Sequence, residues 1–222
     1  MYKKLAAESL GTFILVFAGT GAIMINDIAN AIGHVGIALT FGFVIVALIY
    51  SFAHVSGAHF NPAVTIAFWT MGEFHRKNVI PYISAQVFGA ILASICLYFL
   101  LNENFNSVSE VSYLGSTLPR SSESQAFGFE FILTFILMIV ICSSAVHGKA
   151  TKDFAGLAIG LTVGLESMFA GPITGASMNP ARSIGPAIVS GNFEHLWIYI
   201  LATCLGAMAA SMVFLKIFKS EN

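Results

Sequence analysis

The tripeptide Asn-Pro-Ala occurs twice, as Asn61-Pro62-Ala63 and as Asn179-Pro180-Ala181, and this duplication restricts the fold more than any other feature of the chain. Ser56-Gly57-Ala58-His59-Phe60 leads into the first copy and Thr174-Gly175-Ala176-Ser177-Met178 into the second. Asn is a favoured helix N-cap and Pro suits the first helical position, so each copy predicts the start of a helix. About ten mostly apolar residues follow each start, and Gly72 and Gly191 close the two runs. A helix of about ten residues, rising ~1.5 Å per residue, covers ~15 Å, half of a bilayer core of ~30 Å. Two such half-helices entering from opposite faces would meet tip to tip near the midplane.

That picture requires a membrane, and the composition agrees. Of 222 residues, 57% are hydrophobic and 9% charged. A soluble domain of this size cannot hide so much apolar surface, which leaves a polytopic protein of the lipid bilayer. The net charge of −1 argues against nucleic acid as a partner. Cys96, Cys142 and Cys204 lie inside apolar runs and read as buried small hydrophobes, with neither a disulfide framework nor metal-ligand spacing. No His, Cys, Asp or Glu cluster has metal-site spacing, and there is no glycine-rich phosphate loop or Gly-x-Ser-x-Gly elbow. No metal, no cofactor and no enzymatic activity are therefore expected. Met1-Tyr2-Lys3-Lys4 runs into an apolar stretch with no Ala-x-Ala cleavage site and reads as the start of a first span.

Full spans are expected at about Leu5 to Ile25, Gly33 to Ala53, Val79 to Leu101, Gln125 to Val146, Phe154 to Ala170 and Leu196 to Phe218. The half-helices fall at about Asn61 to Met71 and Asn179 to Val189, and Asn102 to Ser124 reads as an exposed loop. Lys3, Lys4, Arg76, Lys77, Lys149, Lys152, Lys216 and Lys219 fall on one side of this arrangement, with only Arg120 and Arg182 elsewhere. The excess of basic residues on that side places both termini in the cytoplasm and the long loop outside, in a multi-pass protein of the cell (inner or plasma) membrane.

The two halves are copies. Glu8-x-x-x-Thr12-Phe13-Ile14-Leu15 pairs with Glu130-x-x-x-Thr134-Phe135-Ile136-Leu137, and Leu39-Thr40-Phe41-Gly42 pairs with Leu161-Thr162-Val163-Gly164. Gly89-Ala90-x-x-Ala93-Ser94 pairs with Gly206-Ala207-x-x-Ala210-Ser211. Each half holds an odd number of spans, so the second half sits inverted relative to the first. Inverted repeats with broken helices build a site at the midplane, and small residues four apart allow close helix contact. The expected fold is all-α, six transmembrane helices plus two re-entrant half-helices. It forms one domain over residues 1–222, with repeats at about 1–101 and 125–222 joined by an extracellular loop at 102–124.

The two in-register motifs, the inverted repeat and Arg182 directly after the second motif resemble the aquaporin, or major intrinsic protein, family over nearly the whole chain. The Phe169-Ala170-Gly171-Pro172 run, Ser183-Ile184-Gly185-Pro186-Ala187 and Trp197-Ile198-Tyr199-Ile200 resemble the nodulin-like subfamily and its bacterial relatives. The resemblance implies a homotetramer with a pore in each subunit, passing water and small neutral solutes. For the nodulin-like members these include glycerol, urea and neutral metalloid acids. It further implies a filter at Phe41, Ser167, Ala176 and Arg182, a vestibule position at His59, and glutamates, Glu8 and Glu130, that brace the re-entrant loops. Water-selective members usually have His where Ser167 stands, so a wider filter is expected; the alternative is that Met168 faces the pore instead. Ser183 stands where glycerol facilitators usually carry Asp, which argues against a dedicated glycerol facilitator.

The residues themselves support a pore. Two helix N-termini aimed at one point each carry roughly +0.5 charge, a field that disfavours cations and hopping protons. The Asn61 and Asn179 carboxamides can cap their helices through oxygen and offer nitrogen to a passing molecule. An intramembrane arginine such as Arg182 is costly and normally functional. Glu166 lacks a counterpart in the first half and is expected to brace the extracellular re-entrant loop. His54 is expected to serve helix packing, and His75, His147 and His195 to be solvated in turns. The competing function is an ion-coupled secondary transporter of a small solute, which would need a titratable or ion-coordinating group at the midplane. An intramembrane enzyme would need a nucleophile–base or metal pair that the sequence does not supply.

Overall fold

A computed structural model describes residues 1–101 and 112–218; residues 102–111 of the loop expected at 102–124, and residues 219–222 with the basic Lys219, lie outside the described residues. Among the described residues, eight α-helices longer than two turns make up the architecture. The spans are α1 (Tyr2–Ala29), α2 (Gly33–Ser56), α4 (Arg76–Leu101), α5 (Glu123–Ile141), α6 (Ala155–Thr174) and α8 (Leu196–Val213). The half-helices are α3 (Pro62–Thr70) and α7 (Pro180–Ser190). Single π-helical turns at Cys142–Val146 and Phe214–Phe218 extend α5 and α8, and among the described residues six helices are long and apolar enough to cross a membrane.

Several spans outrun the hydrophobic windows. α1 reaches back to Tyr2 and on to Ala29, and α6 continues through Pro172 to Thr174. Both α2 and α6 stop at a left-handed glycine, Gly57 with φ 91° and Gly175 with φ 87°. Glycine enters that region without the Cβ clash that penalises other residues. The true stop signal is thus the glycine that opens each re-entrant loop, and polar residues near a helix end do not mark it.

Close backbone approach holds the bundle. A Cβ on Gly89 of α4 would overlap the Ser9 carbonyl oxygen of α1, and one on Gly206 of α8 would overlap the Phe131 carbonyl oxygen of α5. These contacts are repeat-mates of each other. On the axis between the halves, α2 and α6 cross at another repeat pair: a Cβ on Gly42 would lie 3.0 Å from Gly164 Cα. Small residues at such crossings maximise dispersion contact where lipid offers no hydrophobic drive between helices. The half-helices are exchanged: α3 packs chiefly on α8, and α7 chiefly on α4. Each half thereby completes the other around a shared interior.

The cysteines depart from expectation. Cys142 is buried against Met71 sulfur at 3.9 Å, whereas Cys96 and Cys204 are only half-buried.

Candidate functional site

Each half-helix begins as its motif predicts. Asn61 is extended (φ −153°, ψ 119°) and its Oδ1 accepts the Ala63 N–H at 2.9 Å. Asn179 has nearly the same backbone (φ −153°, ψ 109°) and accepts the N–H groups of Ala181 at 3.0 Å and Arg182 at 3.4 Å. The amide nitrogens do more than await a guest. Asn61 Nδ2 donates to the Met178 carbonyl at 2.7 Å, and Asn179 Nδ2 donates to the Phe60 carbonyl at 2.8 Å. Each re-entrant loop is strapped to the other through its own capping residue. A carboxamide has two N–H groups, so one on each Asn remains for a solute. Both Asn residues line a common cavity.

The loops before the caps are strained. Ala58, Phe60, Ala176 and Met178 all have φ between 43° and 52°. Left-handed backbone costs a non-glycine residue about 1–2 kcal/mol, so it needs support from outside. Glu8 supplies it in the first loop, accepting from Ser56 Oγ (2.7 Å), His59 N (3.0 Å), Phe60 N (2.7 Å) and Gln86 Nε2 (2.8 Å). Glu130 acts likewise in the second, accepting from Thr174 Oγ1 (2.8 Å), Ser177 N (2.9 Å) and Met178 N (2.9 Å). A second repeat pair adds to this: Tyr82 donates to the Ser56 carbonyl and Tyr199 to the Thr174 carbonyl.

Two cavities, of about 600 and 540 Å³, meet at Phe41 and Arg182, which belong to the walls of both. The larger holds both Asn caps, His59 and Ala176, and opens beside His54, Lys152 and Asp153. The smaller holds Ser167 and opens among Asn26, Asp27, His34 and Arg120. Arg182 is buried; its Nη1 donates to the Gly115 carbonyl at 2.7 Å, and its Cζ stands 5.1 Å from the Phe41 ring centroid. Ser167 lines the smaller cavity, while the neighbouring Met168 uses its carbonyl to bond His34 Nε2 at 2.6 Å. His59 is held by Thr65 Oγ1 at 3.0 Å and ringed by Phe68, Phe74 and Tyr82.

Three expectations need correction. Glu166 does not brace the re-entrant loop: it is 3% exposed and neither carboxyl oxygen has a hydrogen-bond partner among the described residues. Its position places it on the inward face of α6 with Ile159 and Val163, and the donors of that loop are already taken by Glu130. His54 lines the mouth of the larger cavity instead of packing between helices. His195 sits in a turn but is paired, its Nδ1 lying 2.7 Å from Glu123 Oε1. An unpaired buried carboxyl is a burden on the fold. Glu166→Leu is therefore expected to raise the thermal unfolding temperature of the detergent-solubilised protein, and Glu166→Gln to leave water permeability unchanged. A fall in unfolding temperature with Glu166→Leu would reveal a partner that the carboxyl needs.

The sequence reading missed the second half of the long loop. Residues 113–120 are no simple exposed loop, because Leu114 and Thr117 are buried. The turn carries Tyr113, Leu114 and Gly115 at positive φ, and Gly115 delivers its carbonyl to Arg182. Thr117 Oγ1 is 2.8 Å from Ser183 Oγ, which lies 2.6 Å from Ser177 Oγ, so a hydroxyl chain joins this turn to the second re-entrant loop. The available signal was the Tyr113-Leu114-Gly115 island inside a polar stretch. Among the described residues no three His, Cys, Asp or Glu side chains converge as metal ligands.

The sequence matches the profile of the family described as Major intrinsic protein over residues 1–214. It is 47% identical over 213 residues to Nodulin-26 of Glycine max, covering 96% of this chain and 76% of that protein. It is 46% identical to Aquaporin NIP1-2 of Arabidopsis thaliana, over 96% of this chain and 73% of that protein. The aquaglyceroporin of Plasmodium falciparum superposes with a TM-score of 0.88 at 28% identity, covering 97% of this chain and 96% of that one. The chain belongs to the major intrinsic protein family and is a passive multi-pass membrane channel for water and small solutes, not an enzyme.

Proposed function

We propose that the conduit passes water together with small neutral hydroxylated solutes, such as glycerol, urea and uncharged metalloid acids, and rejects protons and other cations. The observation that carries this reading is the reciprocal strapping of Asn61 and Asn179 inside one cavity. It aims two helix N-termini at the same point, where a guest must accept a hydrogen bond and carry no positive charge. Phe41, Ser167, Ala176 and Arg182 act as the selecting waist, His59 lines the inner vestibule, and Glu8 and Glu130 hold the loops. The whole chain works as one domain, since each half-helix is seated on the opposite half. Ser167 presents a small hydroxyl, which leaves room beside Phe41 for solutes larger than water. The likeness to an aquaglyceroporin favours a solute range that includes glycerol.

Lys3, Lys4, Arg76, Lys77, Lys149 and Lys152 cluster at the end where the larger cavity opens, which supports cytoplasmic termini in a cell (inner or plasma) membrane. Exposed apolar residues such as Phe43, Leu165 and Leu201 on the outer faces of the spans fit contact with lipid and with sister subunits in a homotetramer.

Stopped-flow light scattering of proteoliposomes in sucrose, glycerol, urea and arsenous acid gradients tests the reading. Water flux well above that of protein-free vesicles is expected, with glycerol flux above background and proton flux at background. Passage of water alone would remove the wider filter, and collapse of solute flux on dissipating a proton gradient would favour ion-coupled transport. Ser167→His is expected to narrow the waist and to cut glycerol flux more than water flux in the same assay. Equal losses of the two fluxes would show that Ser167 does not face the passing solute.

A further inference from the structure

We infer that Gly19 sets the width of the constriction, by giving Phe41 a recess in α1 into which its ring withdraws from the conduit. This rests on the proposed reading of Phe41 and Arg182 as the selecting waist. A Cβ built on Gly19 would overlap Cε1 and Cζ of Phe41 and come within 2.6 Å of its Cδ1. One whole edge of the ring is therefore seated in the space a side chain at position 19 would fill. Packing as dense as a protein interior cannot absorb such an overlap without displacing one partner.

The surroundings decide which partner moves, and where. α2 cannot retreat, because Gly42, next to Phe41, is already closed onto α6: a Cβ there would lie 2.9 Å from the Gly160 carbonyl oxygen. α1 is backed by α4: a Cβ on Gly21 would lie 3.2 Å from Leu97 Cδ2. The remaining freedom is rotation of the Phe41 ring toward the conduit it already lines. Arg182, 5.1 Å from the ring centroid and tied to the Gly115 carbonyl, cannot make way. A methyl group at position 19 thus closes the gap between Phe41 and Arg182.

The inverted repeat supports the same coupling. Repeat-mates of Gly19 and Phe41 are Ile141 and Val163, both of which line the larger cavity. Gly11, whose Cβ would come within 2.5 Å of Phe60 Cδ1, has Leu133 as its mate, and Phe60 has Met178. In each case the first half joins a glycine to an aromatic ring where the second half joins a branched aliphatic residue to a smaller or more flexible one. The two positions exchange volume as a unit.

A double-variant cycle on reconstituted protein tests the inference, reading the ratio of glycerol to water permeability. Gly19→Ala is expected to lower that ratio about tenfold, the discrimination one methylene makes in a close-fitting site. In a Phe41→Val background, Gly19→Ala is expected to leave the ratio unchanged, since the ring it would displace is gone. An unchanged ratio for Gly19→Ala in the native background, or an equal drop in both backgrounds, overturns the inference while leaving the channel reading intact. Should Gly19→Ala alone fail to fold, the double variant decides. A folded channel with the ratio of Phe41→Val upholds the inference, and a misfolded double variant overturns it. Wild-type vesicles that conduct no faster than bare lipid would remove both the channel reading and this consequence of it.

Discussion

Glu8→Ala is expected to leave almost no folded channel. The carboxylate accepts four hydrogen bonds, two of them from backbone N–H groups of the first re-entrant loop, and is fully buried. Truncation strands those donors where water does not reach. At about 1 kcal/mol or more for each abandoned donor, the loss reaches about 4 kcal/mol, against a total folding stability of about 5–15 kcal/mol. The strained residues Ala58 and Phe60 then lose the group that holds them at positive φ. Irregular backbone at membrane depth survives only when its polar groups are satisfied from inside the protein. Glu130→Ala is expected to act the same way through three bonds, and Glu8→Gln, which keeps one acceptor oxygen, to be milder than Glu8→Ala. Size-exclusion yield and thermal unfolding of the solubilised variants give the comparison. A Glu8→Ala protein with wild-type yield and water permeability would refute the bracing role.

Arg182→Val is expected to open the waist to cations and to larger solutes together. The guanidinium is a fixed positive charge where the two cavities meet, positioned by Gly115 and by the face of Phe41. At ~5 Å and an effective dielectric constant of ~20, one unit charge opposes another by about 3 kcal/mol. Removing it raises the rate of cation or proton passage by about two orders of magnitude, taking tenfold for each ~1.4 kcal/mol. The side chain also fills space, so the glycerol-to-water ratio rises as well. Proteoliposomes loaded with a pH-sensitive dye, subjected to a pH step, measure the first effect; osmotic swelling in glycerol measures the second. Background proton flux in a folded Arg182→Val channel would assign the whole barrier to the two helix N-termini.

The architecture was legible because its signals are local and doubled. Asn61-Pro62 and Asn179-Pro180 announce helix starts from residue chemistry alone, and paired landmarks such as Glu8 with Glu130 and Gly89 with Gly206 fix the order of the halves. The proposed waist rests on spacing from those landmarks. What spacing cannot express is contact between distant segments. Gly115 holds Arg182 across 67 residues, and nothing in a loop rich in Ser, Asn and Glu distinguishes the one carbonyl that turns inward. Gly19 reads as an ordinary helix-packing glycine until Phe41 is seen resting on it. Glu166 was misread because adjacency to Ser167 in sequence says little about a helix, where neighbours point about 100° apart. The amide nitrogens of Asn61 and Asn179 were read as waiting for a solute because the opposing carbonyls of Met178 and Phe60 lie more than a hundred residues away.

The exchange of half-helices has a consequence for how the chain is made. The seat of α3 is α8, which leaves the ribosome after the seven helices that precede it. The Met178 carbonyl and the opposing tip of α7 arrive only shortly before it, so the first re-entrant segment waits for both its strap and its seat. The nascent protein must shelter that unpaired stretch from acyl chains through most of translation. A chain cut short before Leu196 would retain its early helices and yet present an unfinished polar seam to the insertion and surveillance machinery.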